Sequence, residues 1–320
     1  MGETGPGDLL ELRGLVGSRP LFAVGAGVLL EDAEGRLLLQ RRSDDGLLGL
    51  PGGTAEPGET LPGCAARELA EETGWHLDPE RLRPLATLSG PEFYFRYPNG
   101  DQVYYVSTLY RGKLADCSGG GSGDAETLEL CWVEVSELTD PQLSGPVTRA
   151  GAHLLGARLP WPPAQPAPEG GETYSLSLRP LIGQRGLFAP GATAVLRSPS
   201  GKVLLQRRSD GGFGLPGGYC ALGERLDLAA QRELREETGL SGGELRFLEL
   251  QVGPRYWHRY PGGDLVYHAN GLFAGRWPDE RVPTPADHKS RSFGWFSREE
   301  WTGLPLSPLV RDALELAEGR

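Results

Sequence analysis

Two apolar runs near the start of the chain, VGAGVLLED (24–32) and GRLLLQRR (35–42), flank Ala33-Glu34-Gly35 and predict two strands joined by a short turn. Further on, Leu61, Ala65 and Leu69 recur four residues apart. They predict a helix over 61–72 with one apolar stripe, stopped at Gly74, a natural left-handed cap. Residues 103–110 and 128–135 read as later strands, and 145–157 as a closing helix. Strands interrupted by a few helices, without regular alternation, imply an α+β fold or a mixed-sheet α/β sandwich.

The same pattern then returns. LRGLVGSRPLFAVGAGVLL (12–30) matches LRPLIGQRGLFAPGATAVL (178–196), GRLLLQRRSDDGLLGLPGG (35–53) matches GKVLLQRRSDGGFGLPGG (201–218), and RELAEETG (67–74) matches RELREETG (232–239). GPEFYFRYPNGDQVYY (90–105) matches GPRYWHRYPGGDLVYH (253–268) in the same order. A period of about 165 residues is too long for a solenoid unit and suits a duplicated domain. Between the copies lies LPWPPAQPAPEGGET (159–173), which reads as a semi-rigid, solvated linker. The expected organisation is a domain over 1–158, the linker, and a second domain over 174–320.

The polar face of the first helix carries the candidate chemistry. At about 100° per residue, Glu68, Glu71 and Glu72 fall on one arc, where like charges three and four apart repel. A hard divalent cation with oxygen ligands offsets that repulsion, and Mg²⁺ is favoured when phosphate completes its shell. A charge run is usually a solvated helix face, but here it recurs as Glu233, Glu236 and Glu237 behind the same Gly-rich loop.

Composition narrows the partner. A net charge of −11 argues against nucleic acid held by bulk charge, yet leaves room for one nucleotide held by a few Arg and a metal. The four cysteines, Cys64, Cys117, Cys131 and Cys220, have no zinc-ligand spacing and fit a reducing compartment. No signal-like start and no long apolar run is present, so the expected location is cytoplasmic, without membrane insertion.

Residues 53–75 and 218–240 resemble the Nudix box, Gly-x5-Glu-x7-Arg-Glu-aliphatic-x-Glu-Glu-x-Gly-apolar. The matching positions are Gly53, Glu59, Arg67, Glu68, Leu69, Glu71, Glu72, Gly74 and Trp75, then Gly218, Glu224, Arg232, Glu233, Leu234, Glu236, Glu237, Gly239 and Leu240. The resemblance covers roughly 10–158 and 175–320. It implies two tandem α/β/α sandwiches, each around a mixed sheet, and hydrolysis of NDP-X to NMP plus phosphate-X. It also implies Mg²⁺, with Mn²⁺ as the alternative ion, held by Glu68, Glu71, Glu72 and the Gly53 carbonyl. The second set would be Glu233, Glu236, Glu237 and Gly218. Catalytic roles fall to Glu68, Glu71 and Arg67, and to Glu233, Glu236 and Arg232. Glu59 and Glu224 would hold the loop–helix junctions, and Gly74 and Gly239 would close the helices.

Outside the box the copies diverge. Family members often draw a late carboxylate into the site, and Glu126 and Glu129 stand where the second half has Lys289 and Ser292; only Asp287 and His288 are nearby there. Glu126 is therefore an added candidate metal ligand. Arg41, Arg42, Arg207 and Arg208 are candidates for phosphate contacts, with exposed strand-end charges as the alternative. Phe93 and Tyr256 represent aromatic stretches, 93–97 and 256–260, that would either stack a base or pack. His258 and His268 replace Phe95 and Tyr105 and carry no assigned role. The expected partner is a small nucleotide, and the expected assembly is a monomer holding an intramolecular pseudo-dimer, or a homodimer. The alternative function is one catalytic half beside a structural or nucleotide-sensing half.

Overall fold

A computed structural model describes residues 9–319 except 122, 124, 141–143, 166–173, 242 and 287–289. In the first half a mixed sheet runs in the spatial order Thr127–Val133, Leu37–Arg42, Leu21–Glu31, Gln102–Lys113, Arg83–Leu88. Strands Leu21–Glu31 and Gln102–Lys113 pair in parallel from Leu21↔Val103 to Glu31↔Lys113, and the other pairs are antiparallel. Gly52–Thr54 adds to Leu21–Glu31, and Tyr94–Arg96 adds to Gln102–Lys113. The second half repeats this plan, with Leu187–Arg197 parallel to Leu265–Arg276 at its centre.

Both faces of each sheet are covered, which is why the central strands are apolar almost without interruption. Val28, Leu30 and Leu38 point to the face carrying helix α2 (Leu61–Thr73), while Leu29, Leu37 and Leu39 point to the face carrying helix α3 (Pro146–Leu154). Leu61, Ala65 and Leu69 are buried, as the apolar stripe of α2 requires. In the second half Leu196 and Leu204 face helix α5 (Leu226–Thr238), and Val195, Val203 and Leu205 face helix α7 (Pro308–Glu318). The architecture is two α/β/α sandwiches.

The opening residues of each repeat form helices to which the sequence pattern assigned no element: α1 (Leu9–Val16) and α4 (Tyr174–Ile182). They pack on each other and begin a contact that joins the halves. One core cluster contains Phe22, Tyr104 and Leu61 with Tyr174, Leu187 and Leu226. The Tyr174 hydroxyl accepts the Phe22 amide at 3.1 Å, and the two rings meet edge to face at 4.8 Å. The relation is two-fold in character. The loop at Gly58 lies against Trp257, and the equivalent loop at Gly223 lies against Tyr104.

Residues 159–165 are only partly solvated: 160, 161 and 163–165 are exposed, but the segment is docked at points. Leu159 and Pro162 are buried, Trp161 packs edge-on to Phe93 and His153, and the Gln165 amide donates to the Pro91 carbonyl. Apolar side chains in the segment give it a surface to dock on. The rest of the linker, 166–173, lies outside the described residues.

Candidate active site

The box begins where Gly52–Thr54 lies along Leu21–Glu31. A Cβ on Gly53 would sit 2.4 Å from Glu68 Oε1, so only glycine lets this strand pass so close to the α2 carboxylate. Thr60 caps α2 by accepting the Gly63 amide at 3.3 Å, and Gly74 closes the helix in the left-handed conformation at φ 71°.

Arg67 organises the acids. Its Nε and Nη2 donate to the two Glu59 oxygens at 2.7 and 2.9 Å, a bidentate fork. Its Nη1 donates to Glu68 at 2.9 Å and Glu71 at 3.0 Å, and Nη2 also reaches the Thr54 carbonyl at 3.1 Å. Glu59 Oε2 in turn accepts the Glu56 amide at 2.8 Å, tying the loop to the helix start. Glu72 is buried and accepts the Gly52 amide at 2.7 Å. Burial pushes its carboxyl up to about 7, and burial likewise raises Glu68. The second half reproduces the network. Arg232 forks onto Glu224 at 2.8 and 2.9 Å and donates to Glu233 at 2.6 Å, Glu236 at 3.1 Å and the Tyr219 carbonyl at 3.0 Å. Glu237 accepts the Gly217 amide at 3.1 Å, and Gly239 closes α5 at φ 71°. A Cβ on Gly218 would meet the Glu233 carboxylate at 2.5 Å.

The donor set suits a hard cation: carboxylate oxygens only, two of them in Glu68 and Glu72 penalised by burial for their charge. Among the described residues no three His, Cys, Asp or Glu side chains already converge as a metal cage. Arg67 explains this, because it holds Glu68 and Glu71 to itself. Glu71 is half exposed, so it is free to swing from the guanidinium toward an ion. Cys64 is buried beside the Gly53 carbonyl, and burial pushes its thiol up to about 12, which keeps it a neutral packing group.

A cavity of about 500 Å³ opens beside the first carboxylate helix. Glu68, Glu71, Glu72 and Glu126 line it, as do Arg42, Phe95, Tyr97 and Tyr105. The Tyr97 and Tyr105 hydroxyls share a hydrogen bond of 2.6 Å. Arg42 forks onto Asp44 at 3.0 and 2.6 Å while still bordering the cavity.

Several sequence-selected residues fall elsewhere. Phe93 is 2% exposed and packs in the core against Trp161, so it does not stack a base. A short 3-10 turn over Pro91–Phe93 breaks the alternation, and Phe95 and Tyr97 reach the cavity instead. Tyr256 donates to Asp312 at 2.8 Å at the start of the matching turn. Arg41 donates to the Gly46 carbonyl and pairs with Glu129 at 3.6 Å, outside the cavity lining. Arg207 lies over the Phe213 and Phe296 rings, and Arg208 pairs with Asp210 at 3.1 Å. Asp287 and His288 lie outside the described residues. Tyr105 and Thr54 were not selected as site residues. Their signal was positional, since each sits on a strand directly beside a recognised element.

A family model described as the NUDIX domain matches residues 21–151 and again 187–316, more than half of the chain. The chain is 34% identical over 137 residues to an RNA pyrophosphohydrolase of Erythrobacter litoralis, covering 39% of this chain and 82% of that protein. It is 33% identical over 116 residues to a human 8-oxo-dGDP phosphatase, covering 36% of this chain and 32% of that protein. The MutT NUDIX hydrolase structure from Burkholderia pseudomallei aligns at 25% identity over 43% of this chain and 98% of its own, with a TM-score of 0.35. The chain thus belongs to the NUDIX family as a tandem of two NUDIX domains, and is a hydrolase of phosphorus anhydrides.

Proposed function

We propose that the first half cleaves the pyrophosphate bridge of a nucleoside diphosphate linked to a further group, NDP-X, to NMP and phosphate-X. The observation that carries this reading is the cavity lined by Glu68, Glu71, Glu72 and Glu126 together with Arg42 and the rings of Phe95, Tyr97 and Tyr105. Such a cavity has room for a nucleotide, with its phosphates on the acid side and its flat portion among Phe95, Tyr97 and Tyr105. The names of the relatives, a pyrophosphohydrolase and a nucleotide phosphatase, support the same substrate class.

Glu68, Glu71 and Glu72, with the Gly53 carbonyl and Glu126, would hold Mg²⁺ or Mn²⁺. When bound, the ion supplies charge neutralisation for the phosphates and the departing oxygen. Water adds to one phosphorus, the bridging oxygen leaves with the other phosphate, and a carboxylate of the cluster accepts the water proton. Arg67 keeps Glu68 in place through this step, and Glu59 keeps Arg67 in place. We propose the functional units as residues 1–158 and 174–320, joined within one monomer as a pseudo-dimer. No helix among the described residues is long and apolar enough to cross a membrane.

The test is Mg²⁺-dependent turnover of a panel comprising ADP-ribose, nucleotide sugars, dinucleoside polyphosphates, and normal and oxidised nucleoside triphosphates. With the preferred substrate, Glu68→Gln is expected to lose at least about 100-fold in kcat, the loss typical of removing one group that acts only in the transition state. Full activity in the Glu68→Gln, Glu233→Gln double variant would overturn the assignment.

A further inference from the structure

The two boxes are alike, but the clefts beside them are not. Strand registers give the equivalences directly. Gly25 pairs with Thr54 and Ser107, while Gly191 pairs with Tyr219 and Asn270. Gly27 pairs with Leu109 where Thr193 pairs with Leu272, and Ala23 pairs with Tyr105 where Ala189 pairs with His268. Gly27, Thr54, Tyr105 and Ser107 all line the first-half cavity. Three of these four positions therefore carry a larger side chain in the second half: Gly27 becomes Thr193, Thr54 becomes Tyr219, and Ser107 becomes Asn270.

Two separate sets of contacts hold the replacements. The Tyr219 ring stacks on His268 with centroids 5.7 Å apart and planes within 5°, and its hydroxyl bonds the Tyr260 hydroxyl at 2.8 Å. Asn270 Nδ2 donates to Thr193 Oγ1 at 3.0 Å and to Gln251 Oε1 at 2.8 Å, across the floor of the same space. His268 is held neutral there, since burial and then neighbouring His258 lower it to about 4. The partly exposed ring stack and the satisfied buried amide network fill this space, and a ligand enters only at the cost of those contacts.

We infer that the nucleoside-bearing substrate is held in the first half alone, and that Tyr219, Thr193 and Asn270 together close the equivalent cleft of the second half. The box carboxylates of the second half, Glu233, Glu236 and Glu237, are intact, so beyond the replacement of Glu126 by Lys289 the halves differ in access to the box. This inference rests on the nucleotide reading proposed above, and its test separates the two.

The probe is an α,β-methylene nucleoside diphosphate with Mg²⁺, titrated calorimetrically into the full chain. One site per chain is expected. Thr54→Tyr, which gives the first cleft the residue of the second, is expected to weaken binding at least about tenfold, or 1.4 kcal/mol. Gly27→Thr, the other difference, serves as the second variant if Thr54→Tyr does not fold. Two equivalent sites per chain, or one site unchanged in both variants, would overturn the inference and leave the nucleotide reading standing. No binding to wild type overturns the nucleotide reading and the inference with it.

Discussion

Arg67 and Arg232 show what the box does at the scale of single residues. Each guanidinium spans one loop glutamate and two helix glutamates, a geometry a lysine ammonium does not reproduce. Arg67→Lys is expected to cost about 1–3 kcal/mol in urea unfolding, below the full cost of breaking a buried pair because Arg67 is partly exposed. It should also lower kcat as Glu68 loses its anchor; unchanged stability and kcat together would show that the fork positions nothing. His268 gives a pH signature. Its folded value of about 4 lies below the ordinary 6.5, so the unfolded chain takes up the proton first as pH falls. Its contribution is complete above about 6.5 and is lost as pH falls through about 4, amounting to on the order of 3 kcal/mol. His268→Tyr, the first-half residue, should flatten the stability–pH curve between pH 6.5 and 4, and an unaltered slope would contradict it. The box residues were legible in the sequence because their spacing is fixed by one helix and one loop. For Phe93 the sequence leaves stacking and packing open, and packing holds because a 3-10 turn, invisible to an alternation count, sets it apart from Phe95 and Tyr97.

Among the elements, the box helices differ at their starts. Thr60 caps α2 from within its own half, but Arg225 gives α5 no side-chain cap and instead pairs with Asp227. Ser89 of the first half supplies what is missing, accepting the Leu226 amide at 3.1 Å. The box helix of the second half is thus finished by the first. Ser89→Ala is expected to lower stability by about 1 kcal/mol, the usual worth of a cap, seen as a fall in Tm. It should also increase amide exchange in the first turn of α5, and unchanged exchange there would rule out the capping role. Helix α2 and the central strands could be read from periodicity, because both faces of the sheet are buried. Helices α1 and α4 could not, since what fixes them is each other and Tyr174, a contact 152 residues from its partner Phe22.

Across the whole molecule, duplication has built a pseudo-dimer with a shared core. The repeat in the sequence revealed the two units, but not that α1, α4 and the box loops would pack across them. Nor did it reveal that the start of the linker would lie on the first half through Leu159 and Trp161. A symmetric scaffold leaves each half free to diverge only where its own loops and strand faces line a cleft, and the substitutions from Thr54 to Tyr219 and from Ser107 to Asn270 fall there. The account turns on the first carboxylate helix being a water-activating site for a pyrophosphate bridge. The most direct measurement is hydrolysis of the preferred NDP-X in ¹⁸O-water with Mg²⁺, by wild type, Glu68→Gln and Glu233→Gln. Wild type and Glu233→Gln should release NMP and phosphate-X in equal amounts, one product carrying one ¹⁸O, while Glu68→Gln releases almost none. Products without the label, or a Glu68→Gln variant as fast as wild type, would contradict it.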